Sequence, residues 1–289
     1  MRSSCECTTR RALTGPSMPR VQHPNAIDPP PSAQAIAELE RVMADGWPAL
    51  ETDRLGDWLL RAGQGWTRRA NSVLVQGDPG RPLPEAVQIA ERWYAARALP
   101  AQFALPVSAD ADGTTLDEPL ARLLAERFYA LQEANPVLVA DVGQLPALAE
   151  GMPPVTADGH LQPGWLEAFA AYRPIVPGVT EQVLTGSAGQ LFLSVPDPDR
   201  PSGPLARPLA IARMSVAPGW AGVHAMWVDP QHRRQGLATA LLAAVATLGG
   251  EHHMPRVYLQ VDAANPTALE VYQRLGCTVH HGYRYAAAS

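Results

Sequence analysis

At 289 residues, with 46% hydrophobic and 18% charged residues, the chain is long enough for one large domain or two domains of ordinary size with a substantial core. Its formal net charge of −5 argues against a nucleic-acid or anionic-membrane partner, because both select basic surfaces. All 23 basic residues are arginine, which removes lysine from the candidate catalytic and phosphate-binding groups.

Residues 1–32 are rich in Ser, Thr, Pro and Arg without periodicity and are expected to be a disordered extension. Ser32 reads as the N-cap of a helix over 33–44, with Ile36, Leu39, Val42 and Met43 on one face. Strand-like runs follow at 57–61 and 72–76, then a turn at Gly77-Asp78-Pro79-Gly80 and an amphipathic helix over 84–97. A strand over 103–107, a helix over 117–131 and a strand over 137–141 complete the first half. The Pro- and Gly-rich stretch 146–162 reads as a linker, which gives an N-terminal domain over 33–145 and a C-terminal one over 163–289.

The second half opens with a helix over 163–172 and a short one near 180–184. Segments 190–195 and 208–216 alternate as a hairpin pair, and 222–228 is a further strand. An apolar helix over 236–248, a strand over 256–261, a helix over 266–275 and a final strand over 278–285 follow. The order helix, strand, helix, strand thus recurs in both halves, as an internal duplication would produce and as any α/β chain also shows. The three cysteines, Cys5, Cys7 and Cys277, form no disulfide framework. No apolar run approaches the ~18 residues of a membrane-spanning helix, and there is no signal-peptide pattern, so a cytoplasmic protein is expected.

Chemistry concentrates in Val228-Asp229-Pro230-Gln231-His232-Arg233-Arg234-Gln235-Gly236-Leu237-Ala238. A strand ends at Val228, Pro230 stops it and a helix begins at Gly236. The N–H groups and positive dipole end of such a helix start form an anion site. Small Gly236 and Ala238 let a phosphate approach the backbone, and Arg233 and Arg234 add charge-assisted hydrogen bonds. A diphosphate fits. A P-loop would need a Gly-Lys-Ser/Thr ending, and a dinucleotide fold would need Gly-x-Gly-x-x-Gly. The bland alternative is a solvated arginine-rich turn before a core helix.

Arg233-Arg234-Gln235-Gly236-Leu237-Ala238 resembles the pyrophosphate loop, Arg/Gln-x-x-Gly-x-Gly/Ala, of the GCN5-related N-acetyltransferases. About thirty residues on, the segment running from Gln260 to Cys277 resembles that family's Asn-x-x-Ala-x-x-x-Tyr-x-x-x-Gly-Phe, with Asn265, Ala268, Tyr272 and Gly276 in register and Cys277 in place of Phe. The resemblance covers 190–285. It implies an α/β (α+β) fold of tandem acetyltransferase-like domains. Each would have a mixed, mostly antiparallel central sheet flanked by helices, with a V-shaped gap between the fourth and fifth strands of the C-terminal domain.

The resemblance further implies an N-acetyltransferase that passes acetyl from acetyl-CoA directly to a primary amine of a small molecule or peptide, with no metal. The intermediate would be tetrahedral, its oxyanion held by a backbone N–H of the fourth strand. Backbone groups of Met226, Trp227 and Val228 would hold pantetheine, the run from Arg233 through Arg234, Gln235, Gly236, Leu237 and Ala238 to Thr239 would hold the diphosphate, and Asn265 and Ala268 would line the pantetheine side. Tyr272 would protonate the departing thiolate, or else only pack on the cofactor. Asn265 followed by Pro266 also reads as an N-cap.

The fourth strand carries no acid, so His224, on the face of Met226 and Val228 by simple alternation, is the candidate base; a structural histidine is the alternative, and Glu167 is a weaker candidate. His252-His253 and His280-His281 suggest a metal, but adjacent histidines point apart and no metal is expected. In the first half the matching loop, Gly77 to Pro84, holds three prolines and Asp78 and should not bind CoA. This arrangement resembles a bacterial subgroup with a degenerate N-terminal domain and, more loosely, the mycothiol synthases. Trp66, Arg68 and Asn71 are candidate contributors to an acceptor pocket. A monomer or homodimer is expected, and a non-catalytic acyl-CoA sensor is the competing reading.

Overall fold

The computed structural model describes residues 11–13, 31–108, 115–200 and 202–288. In chain order the elements are β1 (Arg11–Leu13), α1 (Ala33–Gly46), β2 (Glu51–Leu55), β3 (Trp58–Ala62), β4 (Val73–Leu74), α2 (Leu83–Ala95), β5 (Gln102–Val107), α3 (Glu118–Glu126), β6 (Tyr129–Leu131) and β7 (Asn135–Asp141). They continue with β8 (Val155–Asp158), α4 (Pro163–Ala170), α5 (Val179–Thr185), β9 (Gln190–Val195), β10 (Ala210–Ala217), β11 (Trp220–Val228), α6 (Leu237–Glu251), β12 (Arg256–Gln260), α7 (Pro266–Arg274) and β13 (Thr278–Ala288). This is the expected mixed α/β architecture with mostly antiparallel pairing.

Several boundaries differ from the sequence reading, each for a local reason. The helix expected over 117–131 stops at Glu126, because Arg127 leaves helical geometry and Phe128 takes φ 63; Tyr129–Leu131 then pairs with β13. The single strand expected at 57–61 is one arm of a hairpin, β2–β3, closed by Gly56 and Asp57 between the paired Leu55 and Trp58. Gly56 has φ 57, and a Cβ there would lie 2.4 Å from the Asp78 carbonyl oxygen, so only glycine fits. The 146–162 stretch is not wholly a linker: Val155–Asp158 forms β8 and pairs with β9. Of the extension expected to be disordered, Arg11–Leu13 forms a short strand against β8; the rest of 1–30 lies outside the described residues.

Two compact units interleave along the chain rather than dividing at 146–162. One comprises Met1–His23, Ala140–Pro174 and Ala188–Val257, the other Pro24–Val139, Ile175–Ser187 and Tyr258–Ser289. The reason is β13: the last strand in sequence pairs antiparallel with β5 (Tyr285 opposite Ala104) and with β7 (Thr278 opposite Val139).

In the first unit β1, β8, β9, β10 and β11 follow one another, every pair antiparallel. Helix α6 is apolar all round, and every residue from Ala240 to Ala246 is buried, which makes it a core helix. Its fit is tight at Gly249, where a Cβ would lie 3.0 Å from Val142 Cγ1. Helix α4 is anchored by Trp165, which stacks on Phe169 at 5.7 Å and donates its indole N–H to the Leu193 carbonyl at 3.1 Å.

The second unit orders its strands β7-β13-β5-β4-β3-β2, with only β4–β5 parallel. Ser32 caps α1 as expected, its hydroxyl accepting from the Ala35 N–H at 3.2 Å. Trp58, Phe103 and Tyr129 form an edge-to-face aromatic row inside the core. After β3 the backbone turns through Gln64, Gly65 and Thr67, all at positive φ. Asn71 holds that turn: its Oδ1 accepts from Gly63 and Gly65 N–H, and its Nδ2 donates to the Trp66 and Thr67 carbonyls, all at 2.8 Å. Every hydrogen-bonding capacity of the buried amide is spent on backbone, so Asn71, a candidate acceptor-pocket residue, is structural. Asn71→Ala should cost about 3 kcal/mol by leaving buried backbone groups unpaired. A urea unfolding midpoint unchanged from wild type would refute that assignment.

Candidate functional site

The segment from Met226 to Thr239 lies in the first unit on β11, a turn and the start of α6. Strand β11 is not regular. Arg213 pairs with His224 and Ile211 with Trp227, so two steps along β10 match three along β11, and Ala225 and Met226 together oppose Ala212. Ala225 takes φ 53, which marks a β-bulge. This extra residue corrects the expected parity. His224 shares its face with Trp227, not with Met226 and Val228. His224 is 3% exposed, with Nε2 2.9 Å from Ser215 Oγ on the neighbouring strand. Glu167, the weaker base candidate, is exposed on α4.

Trp227 has two ring partners. Tyr172 stacks on it at 6.1 Å and the Arg207 guanidinium lies 5.3 Å from its ring centroid. Arg207 also pairs with Asp229 at 3.2 Å, and Asp229 Oδ1 accepts from the Gln231 N–H at 2.9 Å. Asp229 therefore fixes the turn out of β11. The sequence reading gave Asp229 no role of its own and did not name Arg207, although Asp-Pro followed by a polar residue is a turn signal.

Past the turn, Arg233, Arg234, Gln235 and Gly236 are exposed. Arg234 has φ 63 and Gly236 φ 79, so the chain enters α6 through left-handed geometry. The first N–H of α6 with an acceptor is that of Ala240, bonded to the Gly236 carbonyl at 2.9 Å, and no side chain caps the helix. The N–H groups of Leu237, Ala238 and Thr239 thus lack acceptors among the described residues, beside two arginines that make no ion pair there. A Cβ at Gly236 would meet nothing within 4 Å. Such an end can hold a phosphate group through backbone N–H donors and the helix dipole.

The corresponding loop in the second unit is chemically closed. Asp57 Oδ2 accepts from the Asp78 N–H at 2.9 Å, and Asp78 Oδ1 accepts from the Gly80 N–H at 2.7 Å. Carboxylates occupy the donors that an anion would need, and Pro79, Pro82 and Pro84 supply none.

Asn265, Ala268 and Tyr272 lie in the second unit on α7. Asn265 is the N-cap, its Oδ1 accepting from the Ala268 N–H at 3.1 Å, with Pro266 at the first helical position. No residue of α7 is fully buried; Ala268, Leu269, Val271 and Tyr272 are half-buried. The Tyr272 carbonyl accepts the N–H groups of Leu275 and Cys277. Cys277 is buried, and burial pushes its thiol up to about 12, so it is protonated at neutral pH and a poor nucleophile.

His280 and His281 do not point apart as adjacent strand residues should. A register shift in β13 between Val279 and His281 brings the two Nδ1 atoms to 2.8 Å. His281 Nε2 is 3.0 Å from Glu40 Oε1. Among the described residues no group of three or more His, Cys, Asp or Glu side chains comes together as a metal cage, and no helix is long and apolar enough to cross a membrane.

A family model described as the C-terminal part of the probable histone acetyltransferase Rv0428c matches residues 33–286. The chain is similar to an uncharacterized N-acetyltransferase, YobR, of Bacillus subtilis, at 26% identity over 266 residues, 86% of this chain and 98% of that one. It is also similar to the probable histone acetyltransferase Rv0428c of Mycobacterium tuberculosis, at 29% identity over 270 residues, 90% of this chain and 76% of that one. Among solved structures, a tandem GNAT protein from the clavulanic acid biosynthesis pathway superposes with a TM-score of 0.57 at 14% identity, over 90% of this chain and 89% of that one.

Proposed function

Since the chain belongs to the Rv0428c C-terminal acetyltransferase family, within the GCN5-related N-acetyltransferase superfamily, we propose that it transfers an acetyl group from acetyl-CoA to a primary amine of a small molecule or peptide. The observation that carries this reading is the start of α6. Three adjacent N–H groups and two arginines that have no partner among the described residues, with a left-handed glycine that has open space above it, suit a CoA diphosphate.

In this reading the backbone of Met226, Trp227 and Val228 aligns pantetheine along β11. The bulge at Ala225 interrupts the regular register with β10, and a backbone N–H of β11 stabilises the oxyanion as the amine attacks the thioester carbonyl. Gln235 extends the diphosphate loop, Asn265 and Ala268 line the pantetheine, and the Tyr272 phenol protonates the departing thiolate. His224 acts by holding Ser215 and not by touching the amine, whose proton passes to water. The chemistry supplied by acetyl-CoA is an activated acyl group; the protein supplies orientation, oxyanion stabilisation and one proton.

Calorimetric titration of acetyl-CoA into the purified chain tests the reading, followed by a screen of amines for released CoA thiol. Micromolar binding and amine-dependent thiol release are expected. A well-folded protein that binds no acetyl-CoA would refute the proposal, and binding without turnover on any amine would favour an acyl-CoA sensor.

A further inference from the structure

The second unit contains a small polar cavity that acetyl transfer does not call on. Glu40 of α1, Arg61 of β3, Arg69 from the turn after β3, Gln260 of β12, and Tyr283 and Tyr285 of β13 line it. Tyr283 and Tyr285 reach the same side because they stand two apart on one strand. Glu40 is an acid set into the apolar stripe of α1, buried between Ile36 and Met43.

The charges inside do not balance. Arg61 is buried, yet among the described residues its guanidinium donates to neutral acceptors: Nε to the Ser72 carbonyl at 3.1 Å and Nη2 to Ser72 Oγ at 2.9 Å. Arg69 lies over the Trp47 ring at 4.5 Å and donates to Gln260 Oε1, again a neutral acceptor. Arg68 sits 5.7 Å from the Tyr285 ring centroid and bonds Gln132. Among the described residues Glu40 is the one carboxylate whose charge acts on Arg61, and its own hydrogen bond goes to His281. The phenols do not compensate, because burial pushes both Tyr283 and Tyr285 up and keeps them neutral.

The lining thus holds two guanidinium groups and one carboxylate, and a buried cation short of a counter-charge is costly unless an anion completes the site. A guanidinium is planar and matches a carboxylate with paired N–H donors, while phenolic O–H groups bind the remaining lone pairs.

We propose that this cavity binds the carboxylate group of a small molecule, held by Arg61 and Arg69 and by the hydroxyls of Tyr283 and Tyr285. The assignment concerns the second unit by itself and holds whether or not the chain transfers acetyl groups. The carboxylate belongs either to an acceptor that also carries an amine or to a non-reacting effector.

The full-length protein is titrated with sodium acetate against sodium chloride at matched ionic strength, and its unfolding temperature and heat of binding are followed. Acetate should raise the unfolding temperature saturably in wild type where chloride does not. Arg69→Gln, at a half-buried position, should weaken the acetate response about tenfold or more, and Tyr285→Phe should weaken it by a smaller factor. If Arg69→Gln does not fold, Tyr285→Phe carries the comparison. Identical acetate and chloride curves in wild type overturn the site, as do variants that titrate like wild type, or stabilisation by inorganic phosphate with none by acetate. L-Alanine separates the two sources: thiol release from acetyl-CoA in its presence marks an acceptor carboxylate, and binding without release marks an effector.

Discussion

The double variant Arg234→Ala, Gly236→Glu should lose acetyl-CoA binding by roughly two to four orders of magnitude, because it removes a charge-assisted contact and sets a carboxylate where phosphate oxygens would lie. The site makes this a clean experiment. Arg234 has no ion pair among the described residues, and a Cβ at Gly236 meets nothing within 4 Å, so neither substitution disturbs packing. The structural cost is the left-handed φ of 79 forced on a non-glycine residue, about 1 kcal/mol. Gly236→Ala carries that strain without the charge and should bind acetyl-CoA much more tightly than the double variant. Calorimetry on the three proteins, with unfolding temperatures measured beside it, separates ligand repulsion from damage to the fold. Equal affinity in wild type and double variant would remove the diphosphate from this loop.

That loop was legible in sequence because its determinants are local. A strand end, a proline, a glycine and an apolar run occupy consecutive positions, and the structure turns where they say it should. Ser32 and Asn265 were legible for the same reason, since a cap and the N–H it accepts are three residues apart. What escaped was set by insertion or by distance. The bulge at Ala225 adds one residue to β11 and exchanges the faces, so period-two reasoning put His224 on the wrong side. The same device in β13 brings His280 and His281 together. The stop of α3 at Glu126, followed by the bulky Phe128 at φ 63, has no signature in composition.

The place of β13 could not be read from the sequence at all. Its partners in β5 and β7 lie well over a hundred residues earlier, and no periodicity names a strand's neighbours. The polar cavity depends on that pairing: Tyr283 and Tyr285 become neighbours of Arg61 and Glu40 only through it. The first half's loop is a partial success of a different kind. Its prolines and Asp78 were visible, but the second carboxylate at the site, Asp57, arrives from the turn of a hairpin that the sequence reading had as a single strand.

Tyr272→Phe should lower the turnover number about 100-fold or more while leaving the affinity for acetyl-CoA near wild type, if the phenol delivers the proton to the departing thiolate. The substitution keeps the ring and the backbone, including the carbonyl that receives the N–H groups of Leu275 and Cys277 at the end of α7. A tyrosine whose task is packing therefore loses nothing in Phe and something in Ala. The two variants read different properties: Phe reports the hydroxyl and Ala reports the ring. An enzyme with an acid at this position loses turnover in both, whereas a packing residue keeps its rate in Phe and loses cofactor affinity in Ala. An acyl-CoA sensor has no turnover to lose, and Phe should bind acetyl-CoA as wild type does. Cys277 cannot take over the proton transfer through its thiolate, because burial keeps that thiol protonated up to about pH 12. A Phe variant that turns over at the wild-type rate would strike Tyr272 from the catalytic set and leave proton delivery to solvent.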